Sequence, residues 1–291
     1  MGLGIMAIER PQSRISIYLL LVLALSSVFY ALIIGTGHLA GANGMYVTGL
    51  MWMPATAALL TCRLTGKPIS ELGWGWGRWR WILLAYLLPV AYAGAAYVII
   101  WLTGLGEFGN PAFLEKMSKS LGWSTAPPWL IYAGSLLLFG TFGMARSVAT
   151  ALGEEIGWRG FLTPEITRKY GYTLGTLITG TIWTIWHLPI LLFADYNSGT
   201  QWWFAMPCFA VMVIASSFAF AWLRLRSGSV WPAAILHASH NLFIQLWLTP
   251  ITGTSGRMTP YAVDEFGFML PLAAIVVAVV FWRRRGELTS A

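Results

Sequence analysis

Residues 15–36 read ISIYLLLVLALSSVFYALIIGT, an apolar run without Asp, Glu, Lys or Arg. A helix rises about 1.5 Å per residue, so this run is long enough to cross the ~30 Å hydrocarbon core of a bilayer. Arg10 and Arg14 precede it, as basic residues precede the apolar region of a signal peptide. The run exceeds the apolar region of a signal peptide, which favours a first membrane span that is not cleaved.

Apolar segments of similar length recur along the chain. They lie near residues 42–62, 81–104, 128–153, 173–194, 201–223, 230–249 and 268–282. Hydrophobic residues make up 57% of the sequence and charged residues 10%, whereas soluble domains carry about 25% charge. The segments have the length of helices and not of the short alternating strands of a barrel. The sequence therefore predicts an all-α membrane protein, a bundle of about eight transmembrane helices that forms one integral membrane domain over 1–291.

Basic residues are distributed unevenly between the two sides of this predicted bundle. Fourteen of the 18 Lys and Arg residues lie at the termini or after the second, fourth and sixth segments, whereas Lys116, Lys119 and Arg257 lie on the other side. The positive-inside rule then predicts that both termini are cytoplasmic. This bias also explains the net charge of +7 without a nucleic-acid partner. Compact loops and the lack of an organelle-targeting segment favour a multi-pass protein of a prokaryotic plasma (inner) membrane.

Membrane lipid is expected around the stretch at 71–81, which is rich in Trp and Arg. Its tryptophans are typical of an interfacial belt, and a surface for anionic lipid or a lipidated substrate is the alternative. Cys62 and Cys208 have neither the spacing nor the number for a disulfide framework or a cysteine-only metal site.

Three stretches place polar residues in or beside apolar segments, within a motif-bearing core at 150–245. They are Glu154-Glu155-Ile-Gly-Trp-Arg159, Trp183-Thr-Ile-Trp-His187 and His237-Ala-Ser-His240-Asn241. Ionisable groups in a bilayer are costly and mark functional sites, although a single His or Asn can also simply join two helices. Glu165 and Asp195 are interpreted as loop residues. The pattern predicts a polar site inside the bundle, near its cytoplasmic side.

Helical spacing separates the roles of the two glutamates. Glu155 and Arg159 are four residues apart, so they share a face and can pair. Glu154 points about 100° away from Glu155 and is available for another role. His237, His240 and Asn241 lie on one face of their helix.

These motifs resemble, in order and spacing, those of the CAAX protease and bacteriocin-processing (CPBP, or Abi) family. Its members are intramembrane proteases related to the CAAX prenyl endopeptidase of eukaryotes. The resemblance implies that Glu154 is the general base for water, that His187 assists it, and that His237 and Asn241 form an oxyanion hole. Glu155 and Arg159 would support the site.

Three residues lie outside that pattern. Trp183 stands where the second motif more often has Phe, and an aromatic packing residue is not expected to change the chemistry. His240 has no role in the motifs, and Arg146 is expected either to extend towards the membrane surface or to pair with Glu154 or a substrate carboxylate.

Alternative functions remain open at this point. Glu154, His187 and His237 are possible Zn²⁺ ligands, but there is no H-E-x-x-H helix and the charge of Arg159 opposes a cation, so no cofactor is expected. A non-catalytic protein, either a bacteriocin self-immunity factor or a membrane partner, is the second alternative. A proton-coupled transporter is disfavoured because no inverted repeat is evident. The expected substrate is a peptide or membrane protein.

Overall fold

Helices form most of the computed structural model, which describes residues 11–288. In chain order the α-helices are α1 Pro11–Thr36, α2 Met45–Thr65, α3 Trp79–Leu102, α4 Pro111–Leu121, α5 Pro128–Leu138, α6 Met144–Glu155, α7 Thr163–Phe193, α8 Trp202–Ser227, α9 Trp231–Asn241, α10 Thr249–Ile251, α11 Thr259–Ala262 and α12 Met269–Arg283. Three π-helical segments, Phe139–Gly143, Ile156–Leu162 and Leu242–Leu248, join neighbouring helices. Two short antiparallel strands, β1 Glu107–Phe108 and β2 Thr252–Gly253, pair with each other.

Five of the described helical stretches are long and apolar enough to cross a membrane. They are Gln12–Thr36, Gly41–Thr65, Trp79–Leu102, Pro128–Phe193 and Trp202–Ser227. The predicted class, an all-α membrane protein, is thus confirmed. The number of eight crossings stays a prediction, because the helical stretches 231–251 and 269–283, where the last two predicted segments lie, are not among these five. Arg10, used in the orientation argument, lies outside the described residues.

The fourth predicted segment, 128–153, does not end where the sequence suggests, whereas the fifth, predicted to end at residue 194, agrees with the end of α7 at Phe193. A single helical path runs from Pro128 to Phe193 and bends at Gly171, whose φ of 73° only glycine adopts readily. The predicted loop after residue 153 was wrong, since helix continues through the π segment at 156–162. Glu165, expected in that loop, is a buried helical residue whose Oε1 lies 3.0 Å from Nζ of Lys67. This ion pair allows a polar stretch to remain helical inside the protein.

Helix α6 packs against both α2 and α9, and α7 packs against α8. Glycine permits the close approach of α2. A Cβ on Gly153 would lie 2.7 Å from the carbonyl oxygen of Met51, and one on Gly157 would lie 2.6 Å from that of Pro54. A larger side chain at either position would push α2 away. The two glycines flank the glutamate pair, so they allow the pair to lie close to the backbone of α2.

Candidate active site

A cavity of about 180 Å³ lies between α2, α6, α7, α8 and α9. Its wall includes all four residues predicted to be catalytic, Glu154, His187, His237 and Asn241. The remaining wall is mostly apolar and includes Leu50, Met51, Ile190, Met212 and Val213. A few convergent polar groups in an apolar pocket are typical of a ligand or active site. The fold thus brings the three motifs into one cavity. The role of each residue stays a prediction.

Glu154 is 2% exposed and is held by a tryptophan. The indole Nε1–H of Trp183 donates to Oε2 of Glu154 over 2.8 Å. The expectation that Trp183 is only a packing residue was therefore wrong, because phenylalanine has no donor to offer here. Oε1, the other carboxylate oxygen of Glu154, does not take part in this hydrogen bond.

His187 is fixed by the backbone of the same tryptophan. Its Nδ1 lies 2.9 Å from the carbonyl oxygen of Trp183. A carbonyl only accepts hydrogen bonds, so Nδ1–H is the donor and Nε2 of the neutral ring keeps its lone pair. His187 can therefore accept a proton through Nε2.

Glu155 has a different environment from its neighbour. Its Oε1 accepts from Nη1 of Arg159 at 2.9 Å, the pair that the spacing predicts, and it also lies 2.9 Å from Nδ1 of His237. The Arg159 guanidinium carbon lies 4.1 Å from the centre of the Trp183 ring and 4.3 Å from that of Phe220. Glu155 thus orients His237 and neutralises a buried arginine, which are supporting contacts.

One π-helical turn begins within the first motif, and another directly follows the third. The first begins at Ile156, after the glutamate pair, and the second begins at Leu242, after Asn241. Such turns often occur at functional sites, because they leave backbone groups outside the regular ladder. Here the carbonyl oxygen of Arg159 accepts from Nε of the buried Arg224 on α8.

The sequence interpretation missed a second polar cluster in the same cavity. Glu265 and Gln245 line it beside His240, and Nε2 of His240 lies 2.8 Å from Oε1 of Glu265. The only available signal was the Asp264-Glu265 pair just before the last apolar segment. Arg146, by contrast, is exposed and forms no ion pair among residues 11–288, which agrees with an arginine that extends towards the membrane surface.

One feature of the site favours zinc binding and another opposes it. Both predicted histidine ligands have Nδ1 held by an oxygen, an arrangement common around metal-bound imidazoles. Within the described part of the chain, however, no three His, Cys, Asp or Glu side chains are grouped as a metal site requires. The residues as they are placed do not fit a three-ligand metal site.

Comparison with known proteins relates this site to a family. The family described as "Type II CAAX prenyl endopeptidase Rce1-like" matches residues 77–243. CAAX prenyl protease 2 of Methanococcus maripaludis is 22% identical over 169 residues, which cover 55% of this chain and 50% of that protein. The chain therefore spans about half the length of the curated relative that it matches. The resemblance drawn from the motifs is confirmed. Since the family match covers all three motifs and more than half of the sequence, this chain belongs to the type II CAAX prenyl endopeptidase Rce1-like family.

Proposed function

We propose that this chain is an intramembrane endopeptidase that hydrolyses a peptide bond of a membrane-associated or lipidated peptide or protein. The observation that carries the proposal is the shared cavity of Glu154, His187, His237 and Asn241 in a member of this family. Peptide hydrolysis needs an activated water, a proton donor for the leaving amine and donors for the oxyanion. The cavity offers a group for each of these tasks.

Water activation is assigned to Glu154, with His187 as its partner. Trp183 bonds Oε2 of Glu154, so Oε1 is the oxygen assigned to water. Nε2 of His187 is assigned as a second hydrogen-bond acceptor for that water. The proton taken from water by Glu154 is then passed to the leaving amine. A site closed to bulk water strengthens each of these interactions.

Oxyanion stabilisation is assigned to His237 and Asn241. Because Nδ1 of His237 is directed to Glu155, the nitrogen available to an oxyanion is Nε2. Nε2 can donate only if the ring is protonated, and the adjacent Glu155 carboxylate stabilises that cation. The Asn241 amide supplies a second donor. Donors aimed at developing charge are usually the largest single contribution to catalysis.

The remaining parts of the proposal concern location and requirements. The chain is one integral membrane domain in a plasma (inner) membrane, with both termini cytoplasmic and with lipid as its surroundings. The reaction uses no resident metal, and nucleic acid is not a partner. A peptide or membrane protein is the expected substrate.

The decisive experiment is cleavage by purified protein in lipid nanodiscs. Two sets of fluorogenic probes, membrane-spanning peptides and farnesylated peptides ending in a CAAX sequence, are incubated with wild type, Glu154→Gln and Glu115→Gln. The glutamine oxygen in Glu154→Gln can still accept from Trp183, so the site is expected to stay folded, and Glu115 is an exposed control on α4. We expect cleavage by wild type and by the control, and none above background by Glu154→Gln.

Two other outcomes favour the alternatives. Cleavage that disappears with a zinc chelator and returns with added zinc would favour the metal-dependent protease, with Glu154, His187 and His237 as candidate ligands. No cleavage of either probe set by folded wild type would favour a bacteriocin self-immunity protein or another non-catalytic membrane partner.

A further inference from the structure

The cluster around Glu265 meets the three motifs only at His240, which lies within the third stretch but has no role in the motif. Glu265 is 3% exposed and precedes α12, beyond the residues that the family match covers. Its Oε1 lies 2.8 Å from Nε2 of His240 and accepts from the Gln245 amide at 3.0 Å, while its Oε2 accepts from the Tyr196 hydroxyl at 3.0 Å. Nδ1 of His240 is hydrogen-bonded to the Tyr92 hydroxyl. Both carboxylate oxygens and both imidazole nitrogens therefore already have protein partners.

Tyr196 connects this cluster to the proposed catalytic site. Its ring lies nearly parallel to the His187 imidazole, with 6.1 Å between the ring centres and 26° between the planes. Trp186 and Phe209 contact the imidazole edge-on, at 4.8 and 5.1 Å between ring centres. Both of these residues belong to helices, whereas Tyr196 belongs to the loop between α7 and α8. Its ring also packs edge-on against Phe209 and Phe266, and the bond from its hydroxyl to Glu265 adds a polar anchor to these contacts.

The loop that carries Tyr196 is joined to the loop that carries Glu265 at a second point. The Ser198 hydroxyl donates to Oδ2 of Asp264 over 2.5 Å. Ser198 has a φ of 49° and Asp264 a φ of 63°, in the left-handed region that residues other than glycine rarely adopt. Backbone of this kind persists when surrounding contacts hold it, and it tends to occur near functional sites. The two loops thus form a fixed wall beside His187.

We propose that Glu265 and Tyr196 are positioning residues for His187, and that His240 with Tyr92 holds the Glu265 carboxylate in place. The Tyr196 ring packs on the face of the His187 imidazole and limits its tilt, while the Trp183 carbonyl holds Nδ1. Together these contacts keep Nε2 directed at the water that Glu154 activates. This role rests on the proteolytic function proposed above. It also accounts for His240, which the motifs leave without a role.

A positioning role differs from ligand binding in what it alters. The polar atoms of Glu265 and His240 are already engaged within the protein, so substrate has little to gain from them. Loss of the Tyr196 hydroxyl should therefore reduce kcat and leave KM nearly unchanged. Because small errors of placement carry large rate penalties, we expect kcat to fall about tenfold or more.

The test uses the full-length protein in nanodiscs, labelled with ¹⁵N only in histidine. The chain has four histidines, so the ring signals are few and His187→Ala identifies that of His187. The variants are Tyr196→Phe and Glu265→Gln. Tyr172→Phe is the matched control, since Tyr172 is another half-buried tyrosine whose hydroxyl donates to a protein oxygen, the carbonyl of Phe218 at 2.7 Å. Cleavage of the farnesylated CAAX peptide is measured in parallel.

We expect wild type and Tyr172→Phe to show His187 as one sharp tautomer protonated at Nδ1. In Tyr196→Phe and Glu265→Gln the His187 signals should shift or broaden, with the loss in kcat described above. Unchanged His187 signals in both variants would overturn the positioning role, whatever the activity. Should Glu265→Gln fail to fold, the milder Tyr196→Phe decides. Altered His187 signals together with no cleavage by wild type would retain the ring-positioning contact and reject the proposed protease.

Discussion

The indole nitrogen of Trp183 lies 2.8 Å from Oε2 of Glu154, and the carbonyl oxygen of the same tryptophan lies 2.9 Å from Nδ1 of His187. One residue thereby orients both the proposed base and its partner. The ring of Trp183 also lies against the Arg159 guanidinium, which pairs with Glu155. Trp183 thus couples the first two motifs directly.

Replacing this tryptophan with the residue that is commoner at this position isolates its side-chain hydrogen bond. Trp183→Phe keeps an aromatic ring and the backbone carbonyl but removes the donor to Glu154. A hydrogen bond to a charged group contributes about 1.5–3 kcal/mol, so kcat for peptide cleavage should fall at least about tenfold. Trp247→Phe, which removes the indole bond to Ser135 outside the cavity, is the control. Equal activities of the two variants would contradict the orienting role.

Arg224 should be needed for the π turn after the glutamate pair. Its Nε donates to the Arg159 carbonyl at 2.9 Å, and its Nη2 donates to the Glu71 carbonyl at 3.4 Å. Arg224→Lys keeps the charge but lacks the planar fork that reaches both oxygens. We expect a lower melting temperature and a loss of about 1–3 kcal/mol in the free energy of unfolding, since a buried carbonyl loses its donor. Arg226→Lys, two residues along the same helix, should change the melting temperature less.

Asp264 should make stability depend on pH. Burial raises the pKa of this loop carboxyl from 3.8 to about 6, so the folded protein keeps the proton to a higher pH than the unfolded chain does. Its contribution to stability is therefore full below about pH 4 and is lost as pH rises to about 6. Asp264→Asn cannot titrate, and its melting temperature should fall less than that of wild type between pH 4 and pH 7. Identical pH profiles would show that this carboxyl does not titrate in the window.

The orientation can be tested with single cysteines. In a background without Cys62 and Cys208, Arg80→Cys should react with a membrane-impermeant maleimide only after the cells are opened, because the basic stretch around it is proposed to face the cytoplasm. Lys116→Cys should react in intact cells. Both positions are exposed, so accessibility to the reagent alone does not separate them. The reverse pattern would invert the proposed topology.

The sequence alone determined the class of protein and the motifs. Long runs such as 15–36 indicate a helical membrane protein. The bilayer core has no water to bond the backbone N–H and C=O groups, and a helix satisfies them within one segment. Spacing of four residues predicted the pairing of Glu155 with Arg159, since the helix sets which side chains are neighbours. The family resemblance followed from residues that are readable in order along the chain.

Only the tertiary structure decided which residues from different segments meet. Trp183 became a hydrogen-bond donor to Glu154, and Glu165 became a buried partner of Lys67, because contacts between residues 29 and 98 positions apart in the sequence are not encoded in helical periodicity. Glu265 lies in a short loop that local pattern assigns to the surface, yet its carboxylate reaches His240 and Tyr196 inside the cavity. A buried carboxylate is tolerated only where several donors converge on it, and that convergence depends on how α7, α9 and the two loops pack.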